Sequence, residues 1–188
     1  MGSYEPIDRV VQDLSCDDYR DKNMKDYRQK IKGLDDAKKE IEGLKALGKR
    51  IVFTNGCFDI LHIGHARYLY EARSLGDHLI VAVNGDKSVR SIKGPGRPVM
   101  SQDERAEMLA ALGCVDSVII FDEETPLKAI KFLMPDILVK GGDWKPEDIV
   151  GSDVVTAAGG EVKSIPFVEG ASTTGIIEKI ESKNQPQK

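Results

Sequence analysis

Two of the chain's three histidines, His62 and His65, stand three positions apart with Gly64 between them, two residues beyond the turn "TNGCFD". Imidazoles at that spacing project to one side of a helical turn. A helix start also offers free N–H groups and a partial positive charge, so the pair suits an anion, phosphate oxygens above all. Gly56 and Gly64 allow backbone to come close to such a ligand. Two other readings stay open on these residues alone. One is a metal held by the pair with Cys57 or Asp59 completing the set, and the other is a pair of structural caps.

Further along, "VEGASTTGIIEKI" (168–180) sets Gly170 and the hydroxyls of Ser172, Thr173 and Thr174 before an apolar-periodic helix. Hydroxyls and N–H groups at a helix start make a second anion cradle, although a plain N-cap has the same composition. Between the two cradles, "RSIKGPGRPVMSQDERAEML" (90–109) brings Arg90, Lys93, Arg97 and Arg105 to a Gly/Pro-rich loop and the helix after it. Such charges commonly face solvent, but here they fall where a lid over phosphates would sit. Asn84 and Asp86, at the end of the strand before it, are candidate acceptor contacts with Lys93 and Arg97. "VKGGDW" (139–144) offers Lys140, Gly141 and Asp143 to the same mouth, with glycine backbone open to a flat base and Trp144 as a possible flank or rim residue.

The elements that must hold these residues alternate. "RIVFT" (50–54), "HLIVAV" (78–83), "SVIIF" (117–121), "DILVK" (136–140) and "EVKSI" (161–165) are short Val/Ile-rich runs, most of them continuously apolar, as in strands buried on both faces. Helices are expected between them. Ser101 to Glu104 forms a capping box before Met108, Leu109 and Leu112. Thr125-Pro126 reads as an N-cap with proline at the first helical position, and Pro135 as the stop. Gly159-Gly160 closes a further short helix. The pattern predicts an α/β fold, a doubly wound five-stranded parallel sheet of Rossmann-like type, with ligands beyond the carboxyl ends of the strands. Leu34, Ala37, Ile41, Leu44 and Leu47 mark a leader helix ending at Gly48. The division expected is a polar extension over 1–47 carrying that helix, a catalytic domain over 48–181 and a disordered tail over 182–188.

The totals exclude several classes. At 188 residues there is room for one ordinary domain, and a net charge of -4 argues against a general nucleic-acid binder. Cys16, Cys57 and Cys114 are widely spaced and form no CxxC pair, which fits reduced thiols in a cytoplasm. No run approaches the roughly 18 apolar residues of a membrane span. A GxGxxG turn after the first strand and a GxxxxGK[ST] loop are both missing, which disfavours dinucleotide oxidoreductases and P-loop kinases.

"HIGH" and "GASTT" resemble the HxGH and GxSTT motifs of the nucleotidyltransferase superfamily, which includes cytidylyl- and adenylyltransferases. With "KGPGRP" and "VKGGDW" in that order, residues from about 48 to 180 look like the D-glycero-β-D-manno-heptose 1-phosphate adenylyltransferase subfamily, in a free-standing form. The resemblance implies transfer of AMP from ATP, with Mg2+ accompanying the triphosphate and no metal held by protein alone. It implies phosphate roles for His62, His65, Lys93, Ser172, Thr173 and Thr174, with Arg97 and Arg105 assisting. The nucleoside would lie among Thr54, Asn55, Gly56, Cys57, Phe58, Asp59, Gly64, Lys140, Gly141 and Asp143. The partners implied are small-molecule substrates, neither nucleic acid nor membrane, with a homodimer as the class-level expectation. Other acceptors (glycerol 3-phosphate, ethanolamine phosphate, FMN), CTP as donor, or a non-catalytic nucleotide sensor are the alternatives. One departure stands out: Phe167 occupies the place, five before the serine, where the wider cytidylyltransferase pattern often carries arginine.

Overall fold

The computed structural model describes residues 25–167 and 170–184, so the expectations for residues 1–24 and for the last four positions lie outside it. Five strands form: β1 (Ile51–Gly56), β2 (His78–Asn84), β3 (Ser117–Phe121), β4 (Ile137–Gly141) and β5 (Glu161–Ile165). Each lies on one of the apolar runs, shifted by no more than two residues at either end. The helices are α1 (Leu34–Ala46), α2 (Ile63–Ser74), α3 (Asp86–Lys93), α4 (Gln102–Ala110), α5 (Leu127–Leu133), α6 (Ser152–Ala157) and α7 (Thr173–Asn184). All strand pairings are parallel, in the order β3-β2-β1-β4-β5.

Alternate residues of each strand point to opposite faces, and both faces are covered. Val52, Leu79, Val81, Val83 and Val139 pack with Leu69 and Ala72 of α2 and with Ala106 and Leu109 of α4. Ile51, Phe53, Ile80, Ala82 and Leu138 pack with Ala37 and Ile41 of α1, Ile130 and Leu133 of α5, and Val155 of α6. The expected doubly wound sheet is therefore the observed one. Its order reverses at β1: β2 and β3 lie to one side and β4 and β5 to the other, which opens a crevice at the carboxyl ends of β1 and β4.

The start and stop signals work with small corrections. Ser101 closes a full capping box with Glu104, each accepting from the other's backbone N–H. Met108 is exposed, not packed; α4 buries Arg105, Ala106, Leu109 and Ala110 instead. Helix α5 starts one residue later than expected. Pro126, not Thr125, is the N-cap, because the proline carbonyl already accepts the first helical bond from the Ile130 N–H. Helix α7 runs on to Asn184, so residues 182–184 of the expected tail are helical.

Ahead of α1 the chain docks on the free edge of the sheet. Ile31 bridges Val118 in parallel and the Lys32 N–H donates to the Val118 carbonyl, which covers part of the edge of β3. Among the described residues, no helix is long and apolar enough to cross a membrane.

Candidate active site

The site is built where β1 runs out. Phe58 turns the chain with a left-handed φ of 45° and sinks its ring to 5% exposure, 5.2 Å from the His65 ring. His62 then caps α2, its Nδ1 accepting the Gly64 N–H at 3.1 Å. That bond assigns the proton to Nε2, which leaves a donor free on the far side of the ring. His65 stacks on His62 with centroids 3.9 Å apart and planes 24° apart. A methyl group on Gly64 would lie 2.9 Å from the His62 ring and 3.2 Å from the Ala171 side chain, so a larger residue there would displace the imidazole or its neighbour.

Burial lowers the His65 pKa to about 4, the neighbouring His62 adds to the effect, and the Ile60 backbone opposes it. Burial lowers that of His62 as well. The pair is therefore neutral near pH 7. His65 Nδ1 is buried without a hydrogen-bond partner, alone in this among side-chain nitrogens and oxygens of the described residues. Buried polar atoms in that state are rare in folded proteins.

The second cradle meets the first. Thr173 Oγ1 donates to the Ile60 carbonyl at 3.3 Å, and Ser172 Oγ accepts the Gly175 N–H at 3.0 Å as a cap on α7. Ser172 and Thr174 are exposed. The amino ends of α2 and α7, with five hydroxyl or imidazole side chains, thus border one opening. The rim also carries cations. Lys93, at the end of α3, is exposed and close enough for its charge to act on both Cys57 and Lys140. Lys140 Nζ lies 3.5 Å from Asn55 Oδ1 across the crevice, and burial, with Lys93 adding, lowers its pKa.

Other expected contacts are spent on structure. Arg105 is fully buried: it donates to the carbonyls of Met100 and Cys57 at 3.1 and 2.5 Å and pairs with Asp86 at 2.8 Å. It ties the loop before α4 to the end of β1 and the start of α3, and engages one carboxylate oxygen of Asp86. Asn84 is buried too and donates to Ser88 Oγ at 3.0 Å. Asp59, 2% exposed, accepts from Arg97 Nε at 2.5 Å and from the N–H groups of Val99 and Met100 at 2.8 and 3.0 Å. Burial works against its charge, but those three donors hold its pKa below the usual carboxylate range. Arg97 is accordingly anchored, not a free loop cation. Thr54 lies fully buried beneath the site and shares a 2.5 Å hydrogen bond with the Tyr68 hydroxyl, which also reaches the Val139 carbonyl at 3.3 Å. Burial raises the Cys57 thiol pKa despite nearby cations, which leaves it an inert thiol.

On the β4 side, Asp143 is exposed, but the glycine backbone is not bare. A methyl on Gly141 would lie 3.3 Å from the Phe167 ring and 3.4 Å from that of Tyr68. Neither ring belonged to the site read from the sequence, since isolated aromatics carry no spacing signal. No three His, Cys, Asp or Glu side chains among the described residues converge as a metal site.

Residues 53–179 match the family model described as cytidylyltransferase-like. The bifunctional protein HldE of Geobacter metallireducens is 56% identical over 155 residues, 82% of this chain and 32% of that protein. HldE of Vibrio cholerae is 59% identical over 140 residues, 74% of this chain and 29% of its own length. The chain spans about a third of the length of these curated relatives. The crystal structure of the lipopolysaccharide core biosynthesis protein from Thermoplasma volcanium superposes with a TM-score of 0.53 at 30% identity, covering 66% of this chain and 100% of that one.

Proposed function

The chain belongs to the cytidylyltransferase-like family, and from that premise we propose that it transfers AMP from ATP to D-glycero-β-D-manno-heptose 1-phosphate in the cytoplasm. Support for the acceptor comes from the resemblance of "KGPGRP" and "VKGGDW" to that subfamily and from the relatives' HldE identity. The observation that carries the reaction type is the meeting of two helix amino ends, α2 with its stacked histidines and α7 with its hydroxyls, at the topological switch point.

An oxygen of the sugar 1-phosphate attacks the α-phosphorus in line. The bond from that phosphorus to the oxygen bridging it to the β-phosphate breaks, giving ADP-heptose and pyrophosphate. The attacking oxygen is already anionic, so no general base is required, and at this site, among the described residues, no hydroxyl or thiol is hydrogen-bonded to a base as a covalent intermediate would need. Catalysis rests on positioning and charge stabilisation. His62 and His65 act as neutral donors to phosphate oxygens carrying developing charge. Ser172, Thr173 and Thr174 hold the β and γ phosphates, and Lys93 spans donor and acceptor phosphates. Lys140, with backbone of Phe58 and Gly141 and the Asp143 side chain, borders the nucleoside. Mg2+ enters with the triphosphate as part of the substrate.

The test is pyrophosphate release with ATP and CTP, each crossed with heptose 1-phosphate, glycerol 3-phosphate, ethanolamine phosphate and FMN. Release with ATP plus heptose 1-phosphate alone is the expected result. Release with a different pair overturns the substrate assignment, and silence with ATP still bound makes the protein a nucleotide sensor.

A further inference from the structure

Two aromatic rings stand at the mouth without a structural duty. Phe167 follows β5 by two residues and is 75% exposed; Trp144 follows β4 by three and is 51% exposed. Both press on the same backbone. The point a β-carbon would occupy on Gly142 lies 2.9 Å from Phe167 Cε2 and 3.1 Å from Trp144 Cδ1, so the rings are neighbours. Gly142 itself sits at φ +116°, where an L side chain is strained, and its N–H is tied to the Ile165 carbonyl at 2.8 Å. The Trp144 N–H donates to Ser164 Oγ at 3.3 Å, which fastens the loop holding the indole. The backbone under both rings is thus fixed, while their outer faces are open to solvent.

The expectation that a base lies flat on glycine backbone is therefore corrected: the Phe167 ring already covers Gly141 and Gly142. An arriving base meets an aromatic face instead. The place is right for one, because β4 adjoins β1 at the switch point and Lys140, on β4, reaches Asn55 on β1. A nucleotide with its phosphates between the amino ends of α2 and α7 extends its base toward β4 and β5. A cation at position 167 would serve a phosphate; a phenyl ring serves a base.

We propose that Phe167 is the stacking platform for the adenine of ATP and that Trp144 walls its edge, making the pair the base-binding subsite. The inference rests on the reading that ATP is the donor. Stacking on an aromatic side chain amounts to roughly a 5- to 150-fold effect on affinity per base.

Trp144 is the chain's single tryptophan, so its emission reports on the subsite directly. Titration calorimetry and tryptophan fluorescence would be run with ATP and with tripolyphosphate, a probe that has no base, on wild type, Phe167→Ala and Phe167→Tyr. Expected are a change in Trp144 emission with ATP only, ATP affinity at least fivefold weaker in Phe167→Ala, unchanged tripolyphosphate affinity, and near wild-type behaviour in Phe167→Tyr. Since the ring is mostly exposed, folding of the alanine variant is expected to be intact, checked by circular dichroism. Wild-type ATP affinity in folded Phe167→Ala, or equal weakening of both ligands, overturns the platform alone. Wild-type protein that binds ATP no better than tripolyphosphate overturns the platform and the ATP reading together.

Discussion

At the residue scale, His65 and Arg105 show how two residues with similar sequence credentials part company. His65 has a largely buried, stacked, neutral ring, so it can donate to a phosphate without carrying a charge of its own. Its imidazole is expected to titrate near pH 4 in the ligand-free protein by NMR, well below the ordinary histidine value; a midpoint near 6.5 would refute this. Replacing it with alanine is expected to lower turnover by about 10²–10³, the usual cost of a preorganised charge-stabilising donor, with the unfolding midpoint little changed. Arg105 points the other way. With its guanidinium fully buried among two carbonyls and Asp86, Arg105→Met is expected to cost roughly 3 kcal/mol or more of stability in urea unfolding, because Asp86 loses its partner. The sequence made His62 and His65 legible, since a spacing of three after a glycine turn has a direct geometric meaning. It could not separate Arg105 from Lys93, because the Cys57 carbonyl that claims Arg105 lies 48 positions away.

At the element scale, the segment from Gly94 to Met100 is held by a buried carboxylate, with Arg105 gripping its last carbonyl. Asp59 grips Arg97 and two consecutive backbone N–H groups, so the loop placed where a lid over phosphates would sit is pinned to the end of β1. Asp59→Ala leaves those donors unpaired. It is expected to speed tryptic cleavage after Lys93 several-fold and to raise KM for the acceptor more than for ATP, measured by limited proteolysis and steady-state kinetics. Equal cleavage of wild type and variant would show that the anchor is dispensable. Strands and caps were legible because they depend on neighbours in sequence: the apolar runs marked all five strands, and the Ser101 capping box formed as written. The anchoring of the loop was not, since Asp59 and Arg97 are 38 positions apart and each looked like a ligand contact. Phe167 escaped for a related reason, as its role depends on Gly141 and Gly142 one strand away.

At the scale of the whole molecule, the proposed chemistry and the docking of the leader occupy opposite ends of the sheet. All proposed phosphate and base contacts lie beyond the carboxyl ends of the strands, while at the amino ends of β2 and β3 a carboxylate adds to the backbone contacts of the leader. Glu40 of α1 accepts from Ser117 Oγ at 2.6 Å, pairs with Lys32, and lies 3.5 Å from His78 Nε2, itself 3.0 Å from Ser117 Oγ. Burial opposes the charge, but His78, Lys32 and Ser117 together lower the Glu40 pKa to about 2. A carboxylate depressed on folding stabilises the native state above its unfolded value and loses that contribution as the pH falls through the folded one. The window therefore runs from about 4.5 down to about 2. With the side chain 30% exposed, solvent screening reduces the contribution to roughly 1–2 kcal/mol. Urea midpoints at pH 7, 5, 4 and 3 should show a gap between wild type and Glu40→Gln that is constant above about pH 5 and shrinks below it. Because the knot lies at the far end of the sheet from the histidines, kcat of Glu40→Gln at pH 7 should stay within about twofold of wild type. A large loss of activity with little loss of stability would mean that the two ends are coupled through the sheet, contrary to the separation the fold implies.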